Sequence, residues 1–236
     1  MKLSERHDLM ETQVLYKANT ALTDGDFAEA AALYSKILAD GEANGAVHYN
    51  MGIAQFRSGQ IGEAIYHFKK ANLVMPRNPD VKFNLDFVRK QADMSQAVSG
   101  ESLQNLVRSQ IPLSTKESAY GFTSAIIIWS VVSILMLYVR DNEFLKWLRR
   151  LTAGGVVITA LLFGVFYIFD RPFGVVTVEK ANVYSSSNAN SVLLFKLNLG
   201  TEFEVGKIDS DWAQIKIGKD KKGWIATKNV ILDEKR

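Results

Sequence analysis

The 236-residue chain has no cysteine, four prolines and three histidines. Without cysteine there is no disulfide framework and no thiolate metal site, and the redox compartment is left open. His7, His48 and His67 form no HExxH arrangement, and there is neither a GxSxG turn nor a Walker-type glycine–lysine loop. The carboxylates make no recognisable catalytic pair. The sequence therefore points away from an enzyme and implies no cofactor and no metal. Charge is also missing where it matters most: windows 119–139 and 151–169 hold no Asp, Glu, Lys, Arg or His.

An average composition of 47% apolar and 22% charged residues hides those two windows. Each is long enough to cross a hydrocarbon core of about 30 Å at about 1.5 Å per helical residue. The first is apolar all round, without the polar face of a globular surface helix. Tyr120, Tyr138, Trp147 and Tyr167 lie near the window ends, where amphipathic rings favour the headgroup region. Gly121, Ser124, Gly154 and Gly155 would let two helices approach closely, or simply reflect membrane composition. With no ionisable group inside either span, an ion or proton pathway has no residue to use, so the expectation is a transmembrane hairpin that anchors the protein in lipid. The net charge of +3 is dispersed and partly committed to the membrane flanks, which excludes nucleic acid as the expected partner.

Ahead of the spans the chain repeats itself. Gly25 and Gly59 lie 34 residues apart, and the same offset pairs Ala18 with Gly52, Ala30 with Ala64, and Tyr34 with Phe68. Gly52 and Ala64 suit a close crossing of two antiparallel helices, and Pro76 ends the second one. Phe83-Asn84 repeats Tyr49-Asn50 at that offset, after which the pattern stops without a partner helix, as a capping helix would. The segments GDFAEAAALY and GQIGEAIYHF resemble the tetratricopeptide repeat, over residues 11–92. The first copy departs at its end, where Glu42 stands in the proline's place and Asn44-Gly45 supplies the break.

The resemblance implies a concave surface, lined by the first helix of each repeat, that takes an extended peptide or a partner's helix. Asn19, Tyr49, Ile53, Phe83 and Phe87 should face it, with Asn50 and Asn84 beside them. The alternative reading is that the aromatics only seal a short array. Asn19 and Asn50 match two positions of the branch that clamps a C-terminal carboxylate, but Leu15, Asp80 and Asn84 occupy its three basic ones. That argues against chaperone tails as ligands.

Residues 93–118 read as a Ser- and Gln-rich linker, in which Leu103, Leu106, Val107 and Ile111 could form an interfacial amphipathic helix or a plain connector, ended by Pro112. After the second span, β-branched and aromatic residues alternate between Gly, Asn, Asp and Ser turns, the texture of short strands. Ala181-Asn-Val-Tyr-Ser185, Leu199-Gly-Thr201, Asp211-Trp-Ala-Gln-Ile215 and Gly223-Trp-Ile225 resemble, in order, the bacterial SH3-like module over 174–232. The resemblance implies a small all-β barrel, with Phe203, Val205, Ile215 and Ile225 in its core, that binds peptidoglycan or peptides. Tyr184, Trp212 and Trp224 are its aromatic contact residues, unless the tryptophans are plain barrel residues. Tyr184-Ser-Ser-Ser replaces the usual first-motif turn.

The whole is expected to be a multidomain membrane protein: an all-α tetratricopeptide-repeat domain, a two-helix transmembrane hairpin and a small all-β SH3-like barrel. That order resembles the BatE-type proteins of bacterial aerotolerance (Bat) operons. It implies a non-enzymatic envelope scaffold in a complex with Bat membrane proteins bearing von Willebrand A-type domains and with a MoxR-type ATPase. The alternative is a peptidoglycan-binding anchor or envelope sensor acting through the SH3-like part. Arg140, Lys146, Arg149 and Arg150 make 140–150 the most basic flank, so this loop is expected to be cytoplasmic and both soluble domains extracytoplasmic, on the inner membrane. The first thirteen residues hold no hydrophobic segment. Export then needs a signal segment ahead of this chain or the first span itself, and a reversed topology is the alternative.

Overall fold

The computed structural model describes residues 3–39, 44–92, 111–139, 142–169, 171–218 and 221–233. The chain forms two compact units, Glu101–Asp170 and a second one that joins Met1–Gly100 to Arg171–Arg236. Leu103, Leu106 and Val107 of the amphipathic helix or connector expected in the linker, and Arg140, fall outside the described residues.

The N-terminal half of the larger unit is five antiparallel-paired helices: α1 (Leu3–Asp24), α2 (Phe27–Ala39), α3 (Gly45–Arg57), α4 (Ile61–Val74) and α5 (Pro79–Gln91). Gly25 and Gly59, with φ of 87° and 78°, turn α1 into α2 and α3 into α4, a left-handed conformation that costs glycine nothing. Asn44 and Asn78 cap α3 and α5 by accepting from backbone N–H groups of the first turn, and Pro79 occupies the first turn of α5, where no N–H is needed. At Gly52 an added Cβ would stand 2.8 Å from the Phe68 ring, so the small residue sets the α3–α4 approach. Ala18, Ala30, Tyr34, Ile37 and Met51 make one core, and Ala64, Ile65, Phe68, Leu85 and Val88 another.

Seven strands follow: β1 (Phe173–Val176), β2 (Lys180–Tyr184), β3 (Leu193–Asn198), β4 (Glu202–Asp209), β5 (Trp212–Ile217), β6 (Lys221–Ala226) and β7 (Val230–Leu232). They form one antiparallel sheet in the order β3-β2-β6-β5-β4-β1-β7, so the ladder has two unpaired edges and does not close on itself. Val176, Val183, Leu197, Phe203, Ala213, Ile215 and Ile225, from six of the strands, nevertheless share one core, which requires a curled sheet.

This β-domain is not a separate bead. Phe173 and Val175 of β1 belong to the core of α4 and α5, with Tyr66 tilted over Phe173 at 5.5 Å. Burying two such side chains contributes roughly 3–6 kcal/mol. Glu202 accepts from Lys69 Nζ at 2.6 Å and Arg89 Nε at 2.7 Å, and Asp233 accepts from Lys70 Nζ at 2.7 Å. Gly62, in the first turn of α4, rests on the backbone of Val176 and Thr177. The capping role expected of α5 alone is thus shared with β1, whose Phe173 and Val175 join Leu85 and Val88 in one core.

Among its described residues the smaller unit holds a helix pair, α6 (Thr115–Tyr138) and α7 (Glu143–Phe169). Ser114 and Glu117 form a reciprocal capping box that starts α6 four residues before the expected window. Residues 143–150, expected as loop, are instead the first turns of α7, with Lys146 paired to Glu143 at 2.8 Å. Charge excludes a segment from the hydrocarbon core, not from a helix. Phe122 stacks on Phe163, and Val132 and Phe166 are buried, whereas most other large apolar side chains of the pair are exposed. The glycines do not mediate close packing: a Cβ at Gly121, Gly154 or Gly155 would meet nothing within 4 Å. Phe122 and Phe163 meet ring to ring across the pair instead. Both helices are long and apolar enough to cross a membrane.

Candidate partner-binding surfaces

The expected groove residues fall into three groups. Asn19 on α1 accepts from Tyr34 Oη at 2.7 Å and from Asn50 Nδ2 at 3.2 Å, which ties the first helices of both repeats together. Asn84 on α5 donates to Tyr49 Oη at 2.9 Å, and the Tyr49 ring lies against Phe68. Burial raises the Tyr49 pKa, so the phenol stays neutral. Phe83 and Phe87 stack one turn apart on α5, 68% and 42% exposed, with Phe56 edge-on to Phe87.

Ile53 stands apart from these, half-buried against the α4–α5 core. The face thus offers amide groups on α1, α3 and α5 and an apolar aromatic step on α5, a combination suited to a peptide backbone and a large side chain. Tyr16, 73% exposed on α1, belongs with this set and was missed. It precedes Asn50 and Asn84 by one and two 34-residue periods, and that period was the available signal.

On the β-domain, Tyr184 and Trp212 meet edge to face at 5.6 Å, and Trp224 lies opposite both Tyr184 and Gln214 in the ladder. All three are half-exposed, while the alternating Ala213, Ile215 and Ile225 fill the core. The period of two along a strand therefore turns the tryptophans outward, away from the core.

Among the described residues no three of His, Cys, Asp or Glu converge as a metal site would need. The two repeat histidines face each other instead, His48 Nδ1 3.0 Å from His67 Nδ1, buried between α3 and α4. Burial holds their pKa values down, to about 4 and about 3, with Lys70 opposing protonation of both; His48 also opposes it at His67, and Asp233 favours it at His48. One ring donates and the other accepts, so neutrality is built into the contact.

Residues 21–82 match the tetratricopeptide repeat family, a stretch that runs from the end of α1 into α5. No curated protein matches the chain. Tetratricopeptide repeats are an interaction fold without catalytic machinery of their own, and they imply protein partners in general.

Proposed function

We propose that the protein is a non-enzymatic scaffold anchored by the α6–α7 hairpin, which recruits a protein partner through the α1, α3 and α5 face of its repeats. The observation that carries this reading is the exposed Phe83–Phe87 step beside the Asn19–Asn50 and Asn84–Tyr49 amide pairs. The order of parts resembles BatE-type proteins, and on that resemblance the partners are Bat membrane proteins with von Willebrand A-type domains. The β-domain is read as SH3-like.

The basic residues at the α7 start, Lys146, Arg149 and Arg150, with Arg140, support an orientation with the connection in the cytoplasm and both soluble parts outside, on the inner membrane. The core shared by α4, α5 and β1 supports two crossings, because segments on either side of the hairpin can pack together only on one face. A second reading, a peptidoglycan anchor or envelope sensor, is favoured by the outward Tyr184, Trp212 and Trp224.

The two readings separate in a capture experiment with the full-length protein solubilised from its membrane. Phe83→Ala with Phe87→Ala should abolish capture of von Willebrand A-type partners and leave binding to sedimented peptidoglycan unchanged. Partner capture that survives this change but is lost with Trp212→Ala and Trp224→Ala would transfer the function to the β-domain.

A further inference from the structure

One charged feature of the β-domain belongs to neither surface. Strands β5 and β6 set Lys216 directly opposite Lys222, and like charges facing across a strand pair repel. On the other side β4 brings Glu204 opposite Lys216, but that carboxylate is held by Arg171 Nη1 at 3.0 Å. Among the described residues neither lysine has a carboxylate partner. A break in register between Val205 and Ile208 opens the ladder beside them, and Arg171, Glu204, Gln214, Lys216 and Lys222 line the shallow cleft that results. Three cations and one carboxylate leave it net positive.

Its position in the chain says what it would meet. Arg171 follows Phe169, the last residue of α7, by two residues, a reach of at most about 7 Å. Covalent connection alone therefore keeps this cation where the second span leaves the hydrocarbon core. Glu204 occupies part of the Arg171 guanidinium and orients it, while among the described residues nothing else engages its remaining N–H groups. Ammonium and guanidinium donors grouped in this way match the oxygens of a phosphate.

We propose that this cleft binds the phosphate of anionic lipid headgroups and so holds the β-domain at the membrane surface. The proposal rests on the reading that α6 and α7 span a bilayer. A phosphate in solution would satisfy the same donors, but only the membrane presents phosphates at high local concentration beside Arg171.

The test uses the full chain in nanodiscs of phosphatidylglycerol or of phosphatidylcholine, with the rate of amine acylation followed residue by residue by mass spectrometry. Lys216 and Lys222 should react about fivefold more slowly in phosphatidylglycerol, while Lys36 and Lys82 on the repeat helices react alike in both. Protection should vanish in high salt and deepen in Glu204→Gln, which removes the competing carboxylate. Equal rates at Lys216 and Lys222 in both lipids, in wild type and Glu204→Gln, would overturn the proposal. Equal protection by millimolar inorganic phosphate in phosphatidylcholine discs would overturn the lipid assignment. Failure of the chain to enter discs would overturn the membrane reading and this proposal with it.

Discussion

Glu202 on β4 is held by Lys69 of α4 and Arg89 of α5, 133 and 113 positions earlier in the chain. Burial by itself would raise its pKa, but the two cations outweigh burial and hold it at about 2 against an ordinary 4.5. Its contribution to stability is therefore complete above about pH 4.5 and is lost as pH falls through that value toward 2. The His48–His67 pair acts in a higher window. The unfolded chain takes up protons near pH 6.5 that the folded pair refuses until about pH 4. Stability is full above pH 6.5 and falls below it, by up to about 1.4 kcal/mol per pH unit for each ring. Denaturation followed by tryptophan fluorescence should show a first decline starting near pH 6.5 and a second below 4.5. His48→Leu with His67→Leu should flatten only the first. Glu202→Gln should remove the second and lower stability at pH 7 by about 3 kcal/mol, since Lys69 and Arg89 lose their counter-charge.

Among the elements, the helix-to-helix turns and the α4–β1 contact respond differently to one methyl group. Gly25→Ala and Gly59→Ala meet open space and pay only for the left-handed backbone, about 1 kcal/mol each. Gly62→Ala puts Cβ 2.5 Å from the Val176 carbonyl oxygen and 2.8 Å from Thr177 Cα, backbone that cannot rotate away. It should loosen α4 from β1 and cost clearly more than either turn variant in urea denaturation. A cost at Gly62 no larger than at Gly25 would mean that the contact yields. The turns were legible in the sequence because each repeat must solve the same local problem, so Gly25 and Gly59 recur at a fixed period. The α4–β1 contact was not. Ala64 read only as the close crossing of two repeat helices, Phe173 lay just outside the 174–232 module, and no local rule links segments so far apart in the chain. The start of α7 at Glu143 escaped for another reason, since composition reports solubility in lipid and says little about helix in the flanking water. The proposed partner face lay between these cases: Phe83 and Asn84 were visible through the period, while the Tyr34–Asn19–Asn50 linkage needed the helices to be packed.

At the scale of the whole molecule, the repeats and the β-domain are one unit interrupted by a pair of helices long and apolar enough to cross a membrane. A repeat domain and a β-domain on opposite faces could not share Phe173, Val175 and the Glu202 ion pairs, so this unit and a single crossing are incompatible. The absence of cysteine makes the sidedness directly measurable. Single cysteines can be placed at exposed positions on α2 (Ser35→Cys), on the β2–β3 connection (Asn190→Cys) and at the start of α7 (Phe144→Cys), and probed in intact cells with a maleimide that cannot cross the inner membrane but reaches its outer face. This topology predicts labelling of Ser35→Cys and Asn190→Cys from outside, with Phe144→Cys labelled only after lysis. Labelling of Ser35→Cys and Asn190→Cys from opposite faces, or of Phe144→Cys together with them, would contradict it.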